Sequence, residues 1–313
     1  MKFSSARKTA ALTVSLGLLL TATACNRGDD AAASGGTVTL AVSTLNNPFF
    51  VELRDGAQAA AEEAGLDLDV LDAQNDSATQ TNQLATAATS GTEGVIINPV
   101  DSDAAAASIS PLLSAGTPVV AADRTVNGAE VQSLVSSDNK AGGRQAADEL
   151  AKAMGGEGEI IILQGVAGTS ASRDRGAGFA EGIKAYPGIK IAAQQTANFD
   201  RAEALNVATN LLQANPGVTG IFAENDEMAL GAIQALGNRA GTDVSVVGFD
   251  GTEGGFTAIE DGTLTATIAQ QPAELGKRSV EVLAQLLDGE TVDATIPVPV
   301  TTVNAANLAD FTS

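Results

Sequence analysis

Val38-Thr-Leu-Ala-Val-Ser-Thr-Leu-Asn-Asn-Pro-Phe-Phe50 is the stretch around which the rest of the chain is organised. Val38 to Val42 is an apolar run rich in β-branched residues, the pattern of a strand buried on both faces. Asn46, Asn47 and Pro48 break it, and a helical stretch from about Phe49 to Ala64 follows, closed by Gly65. A strand, a polar loop and a helix open a βα unit. Two phenylalanines, two amides and Ser43 stand at the mouth of that strand. Open parallel sheets bind ligands at the carboxyl ends of their strands. This first loop therefore holds flat apolar faces beside hydrogen-bonding groups, the components of a small polar-ligand site.

The same device recurs along the chain. Further strands are predicted at Leu68–Leu71, Gly94–Asn98, Pro118–Ala122, Val131–Val135, Glu159–Leu163, Lys190–Gln195, Val218–Ala223, Val244–Phe249 and Thr263–Ile268. Asp101 or Ser102 is expected to cap a helix ending at Gly116, and Asp200 one ending before Asn215-Pro216. Asp226 is expected to cap a helix ending at Gly237, and Pro272 fits the first turn of one ending near Gly289. Strands alternating with helices imply βαβ units and parallel sheets. A weak repeat is visible: Gly94 to Ala104 and Gly220 to Ala229 are each a strand, a polar break and a capped helix. Each is followed by a strand that ends in Asp, at Asp123 and Asp250. Two similar α/β domains facing across a cleft are expected, with residues 136 to 142 as the first crossover. The segment Asp293 to Val303 has β character and can add strands to either half.

The start of the chain reads differently. Lys2, Arg7 and Lys8, a mostly apolar run over residues 10 to 20 and small residues up to Ala24 make residues 1–24 a secretory signal peptide, too short to span a membrane. Cys25, the single cysteine, follows directly. Residues 25–36, rich in Ala, Gly, Asp and Ser, read as a flexible tether. With one cysteine there is no internal disulfide and no thiolate metal site. Against 38 acidic residues the chain has 17 basic ones, a net charge of −21 that repels nucleic acid and anionic lipid. It contains no His, which removes the commonest general base and the usual zinc ligand.

Polar residues collect where strands stop: Ser43, Asn47, Asn98, Asp123, Arg124, Ser137, Asn225, Asp250 and Gln271, with Arg175 at the helix entrance after Glu159–Leu163. Phe49, Phe50 and Phe249 share this placement, and Phe199 precedes the Asp200 cap. Carboxylates accept from hydroxyls, guanidinium groups donate several fixed hydrogen bonds, amides do both and phenyl rings cover C–H faces, so the set suits a neutral polyhydroxylated ring. Taken singly, each has a plainer reading as core, surface pair or turn; the recurrence at one topological position favours a site. A glycosidase pair fits poorly, because Arg124 and Arg175 are expected to keep Asp123 and Asp250 ionised. The glycine-rich loops near Gly165 to Gly168 and Gly251 to Gly255 lack the dinucleotide fingerprint and the P-loop lysine.

Val42 to Phe50, Ile97-Asn-Pro-Val-Asp-Ser-Asp103, Asp123-Arg124, Ser137-Asp-Asn139, Leu163 to Ser170, Glu224 to Gly231 and Val247-Gly-Phe-Asp-Gly251 together resemble the bacterial ribose-binding proteins of ABC importers. Ala22-Thr-Ala-Cys25 resembles the lipobox of bacterial lipoproteins, with Ala22 where Leu is usual; the alternative is an ordinary secreted protein with an incidental cysteine. The resemblance implies an α/β fold of the type I periplasmic-binding-protein kind: two similar doubly wound parallel-sheet domains joined by a three-strand hinge. The lobes would be residues 37–137 plus 272–299 and residues 138–271 plus 300–313. It implies a lipid-anchored, extracytoplasmic monomer that binds a monosaccharide, D-ribose first, and delivers it to an ABC permease, with no cofactor, metal or nucleic acid. Phe49, Phe50 and Phe199 would sandwich the ring with Phe249 alongside. Asn47, Asp123, Arg124, Arg175, Asn225, Asp250 and Gln271 would hydrogen-bond it, with Ser43, Asn98, Ser137 and Val166 in support. Another sugar (allose, galactose, xylose or a furanose signal), a sensing role at a membrane receptor, a repressor-type effector domain and a sugar-processing enzyme are the competing readings.

Overall fold

The computed structural model describes residues 36 to 312. The expected signal peptide, Cys25 and nearly all of the tether lie outside them. The chain runs through β1 (Thr37–Val42), α1 (Pro48–Ala64), β2 (Asp67–Asp72), α2 (Ser77–Ser90), β3 (Gly94–Ile97), α3 (Ala105–Ala115), β4 (Val119–Ala122) and β5 (Ser133–Ser137). It continues with α4 (Asn139–Ala153), β6 (Glu157–Gln164), α5 (Ser170–Gly182), β7 (Gly188–Thr196), α6 (Arg201–Ala214), β8 (Val218–Ala223), α7 (Asp226–Leu236), β9 (Ser245–Asp250), α8 (Glu253–Glu260) and β10 (Ala266–Ala269). It ends with α9 (Pro272–Leu287), β11 (Thr295–Val298) and β12 (Thr301–Asn304).

Among the described residues the strands form two six-stranded sheets, ordered β11-β5-β4-β3-β1-β2 and β12-β10-β9-β8-β6-β7. Every pairing is parallel except β10 with β12. Val38, Leu40, Ala41 and Val42 are wholly buried, because β1 runs between β2 and β3 with helices on both faces. The chain crosses between the sheets three times: from β5 into α4, from β10 into α9 and from β11 into β12. The C-terminal β segment thus divides, one strand to each sheet. α9 returns to the first lobe and packs closely on α1. Gly276 of α9 and Gly56 of α1 permit the approach, since a side chain on either would collide with the backbone of the other helix.

Two expected helix caps are placed otherwise. α7 is capped by Asn225, whose Oδ1 accepts from the Met228 amide at 2.9 Å. Asp226 is turned inward and accepts from Gly251 N, Thr252 N, Thr252 Oγ1 and Thr267 Oγ1 at 2.7 to 3.1 Å, tying α7 to the β9–α8 turn. α3 begins at Ala105 without a side-chain cap; Asp101 Oδ1 takes the Asp103 and Ala104 amides one turn earlier, and the Ser102 hydroxyl accepts from Ser170 N of the other lobe. In both cases a tertiary partner competes for a group that local pattern assigns to a helix end.

Candidate functional site

The carboxyl ends of the two sheets face each other across a cavity of about 250 Å³. The first lobe supplies Asn47, Phe49, Phe50, Asp123 and Arg124; the second supplies Ala171, Arg175, Phe199, Asn225, Asp250 and Gln270. Asn47 is held by its own cap, its Oδ1 accepting from the Phe49 amide at 2.9 Å. That fixes the first turn of α1 and sets the two rings edge to face, 5.1 Å apart and both buried. Asp123, Phe199 and Asp250 all have positive φ (66°, 59° and 119°), backbone strain of the kind that clusters at binding sites.

Two buried ion pairs face one another. Arg124 Nε lies 3.5 Å from Asp123 Oδ2, and Arg175 Nη1 lies 3.3 Å from Asp250 Oδ1. Arg124 is also fixed by Pro99 O at 2.9 Å and stands between the Phe50 and Phe199 rings, 5.2 and 5.7 Å from their centroids. Arg175 donates to Asn139 Oδ1 at 2.8 Å and to Glu224 O at 2.6 Å. Asn98 donates to Ala122 O and Asp123 Oδ2, each at 3.2 Å, and accepts from the Ser43 amide. Within this network Asp123 Oδ1, Arg124 Nε and Gln270 Oε1 are buried without a hydrogen-bond partner. A buried polar group without a partner is costly, and these three belong to residues that line the cavity.

Burial pushes Asp250 up to about 8 against the pull of Arg175. Asp123 is raised by burial too, with Arg124 and Arg175 opposing. The expectation that the guanidinium groups keep both carboxylates ionised weighed only one of two opposing effects, and desolvation is the larger. Arg124 is lowered, chiefly by its own burial.

Two sequence-based assignments, Gln271 and Phe249, need correction. Gln271 does not line the cavity: its amide reaches outward to Pro299 O at 3.0 Å. Gln270 takes the place, because β10 pairing with β9 continues one residue beyond Ala269, through Gln270 N to Asp250 O at 2.9 Å; its side-chain amide then donates to Asp250 Oδ1 at 2.7 Å. Phe249 lies beneath the site, its ring centroid 3.9 Å from the Arg175 guanidinium carbon, and supports that group from the core. Val166 lines a wider outer cavity of about 670 Å³ beyond Phe50, Arg124 and Phe199. Ser43, Asn98 and Ser137 are buried and do not line this cavity. Ala171 was not anticipated; it carries no polar group, though it lies one helical turn before Arg175 on the same face of α5.

The sequence pattern of the periplasmic binding protein domain matches residues 38–291. The ribose import binding protein RbsB of Escherichia coli K12 is 47% identical over 267 residues, covering 85% of this chain and 90% of that one. The chain belongs to the periplasmic binding protein family. The Bacillus subtilis RbsB is 42% identical, covering 84% of this chain and 85% of the relative. Among solved structures, an ABC transporter solute binding protein from Bacillus halodurans with bound myo-inositol is 31% identical with a TM-score of 0.84, covering 90% of this chain and 98% of that one. The two sheets with three crossovers are therefore the type I periplasmic-binding-protein fold, and the relatives make the chain a sugar-binding transport protein. Relatives in this family are substrate-binding transport proteins, and family membership implies an extracytoplasmic location. Among the described residues no helix is long and apolar enough to cross a membrane.

Proposed function

We propose that this periplasmic binding protein captures D-ribose between its lobes and hands it to an ABC permease in the closed form. The observation that carries the reading is the set of unpartnered, buried groups around the cavity between the lobes: Asp123 Oδ1, Arg124 Nε and Gln270 Oε1. Ring hydroxyls and a ring oxygen would complete them, with Asn47, Arg175, Asn225 and Asp250 adding further hydrogen bonds and Phe49, Phe50 and Phe199 covering the C–H faces. The likeness to the ribose importers favours the pentose; the myo-inositol relative puts a cyclic polyol second. Closure follows from differential affinity, because only the closed form brings Asp123 and Asp250 to one ligand.

We further propose that Cys25 carries a lipid anchor and that the protein acts as a monomer at the outer face of the membrane. Lipid labelling of wild type but not of Cys25→Ser tests the anchor.

The deciding experiment is calorimetry and thermal melting against ribose, allose, xylose, arabinose, galactose and myo-inositol. A ligand bound only by the folded form stabilises it by about 4 kcal/mol at a thousandfold excess over Kd. A large shift with ribose alone is expected; a shift with another member reassigns the ligand and keeps the class. Absence of binding to every one overturns the reading.

A further inference from the structure

Glu224 follows β8, directly before Asn225 of the pocket, and does not itself line the cavity. Its side chain is fully buried. Burial pushes it up to about 7, and a neutral residue would be cheaper to enclose. Oε2 nevertheless accepts the Gly165 amide at 2.7 Å and the Ser172 hydroxyl, while the backbone carbonyl accepts Arg175 Nη1. The carboxylate thus grips both ends of the β6–α5 loop.

That loop does two things for the cleft. Gly165 is the seat of the Phe199 ring, since any side chain there would collide with it. A few residues on, the loop supplies bonds between the lobes: Ser102 N donates to Gly168 O at 3.1 Å, Ser170 N to Ser102 Oγ at 3.1 Å and Thr125 N to Ser170 Oγ at 2.9 Å. The Phe199 ring and several bonds between the lobes are set by one short segment, which the carboxylate holds together with Thr196 Oγ1, donating to Gly165 O at 2.6 Å, and Arg173 Nη1, donating to Gly168 O at 3.0 Å.

We infer that Glu224 is a positioning residue for sugar capture: by fixing the β6–α5 loop it couples the placement of Phe199 to the bonds that close the cleft. The inference rests on the sugar-receptor reading of the cleft. Glu224→Leu removes both acceptor contacts at similar size, whereas Glu224→Gln keeps an oxygen able to accept from Gly165 and Ser172. Loss of two hydrogen bonds of ordinary strength corresponds to about 30-fold in affinity.

The test measures ribose affinity, release rate and amide hydrogen exchange over residues 165–170 in both variants, with Ser172→Ala as a milder second probe should Glu224→Leu fail to fold. Glu224→Leu is expected to weaken binding about 30-fold, mainly through faster release, and to speed exchange at Gly165. Ser172→Ala should fall between it and wild type, and Glu224→Gln should stay within about threefold of wild type. A folded Glu224→Leu that binds within about twofold of wild type, a folded Ser172→Ala with unchanged release and exchange, or a Glu224→Gln as damaged as Glu224→Leu overturns the inference. Should wild type bind none of the sugars, the receptor reading fails, while the exchange comparison, made without sugar, still decides whether Glu224 fixes the loop.

Discussion

Asp123 directly follows β4 and Asp250 ends β9, equivalent strands of the two lobes, and both hold positive φ, +66° and +119°. Each faces a buried arginine, Arg124 and Arg175 respectively. Strain of this kind costs about 1–3 kcal/mol per residue. It aims both carboxylates into the cleft, where each lobe presents an acid and a guanidinium to the same cavity.

Asp250→Ala removes an acceptor and the counter-charge of Arg175 together. Ribose affinity is expected to fall at least about 100-fold, because hydrogen bonds to charged groups contribute about 1.5–3 kcal/mol each. Denaturant unfolding should show a loss of about 3–5 kcal/mol, the cost of leaving one partner of a buried pair alone. Affinity within a factor of two of wild type would remove Asp250 from the site.

Gln270 and Gln271 are adjacent and chemically identical, yet one lines the cavity and the other faces Pro299. Gln270→Ala should weaken binding by about tenfold and Gln271→Ala by less than about twofold. Calorimetry on the pair decides it, and the reverse order would contradict the strand pairing that places Gln270 beside Asp250.

The pH dependence of stability follows from buried acids. Burial raises Glu224 from 4.5 to about 7, Asp226 from 3.8 to about 6 and Asp250 from 3.8 to about 8. Over that window the folded chain binds more protons than the unfolded one. Their contribution is therefore fully present below the ordinary carboxylate range and is lost as pH rises through the folded values. Melting without sugar should show a Tm several degrees lower at pH 8 than at pH 5. A Tm that is flat or rises over that interval contradicts the burial of these acids.

The α1–α9 contact seats α9 on the first lobe after the second crossover. Gly276→Ala places a methyl group against the Leu53 carbonyl, and overpacking of this kind costs about 1–3 kcal/mol. Thermal unfolding is the measurement, and an unchanged Tm would show that the helices part without strain.

The local pattern was enough for most of the fold. Val38 to Val42 had to be a buried strand, because a β-branched apolar run ended by Asn46-Asn47-Pro48 has no other compact use. Gly65 and Gly116 had to stop helices, since both adopt the left-handed conformation there. The repeated strand ends exposed most of the cavity lining for the same reason: a parallel sheet puts every such loop on one edge.

Contacts between elements distant in sequence decided the rest. Ser102 bonds across the lobes and Asp226 bonds into the β9–α8 turn, although each looks locally like a helix cap. Gln270 rather than Gln271 meets the cavity because β10 keeps its register with β9 one residue longer. Phe249 supports Arg175 from below, and Asp123 and Asp250 rise in pKa despite their arginines. Sequence determined which groups stand at the strand ends, because that follows from backbone preference and hydrophobic period. Only the tertiary structure decided which of them turn inward, which bridge the lobes and which are raised in pKa, because register and desolvation are set by neighbours far away along the chain.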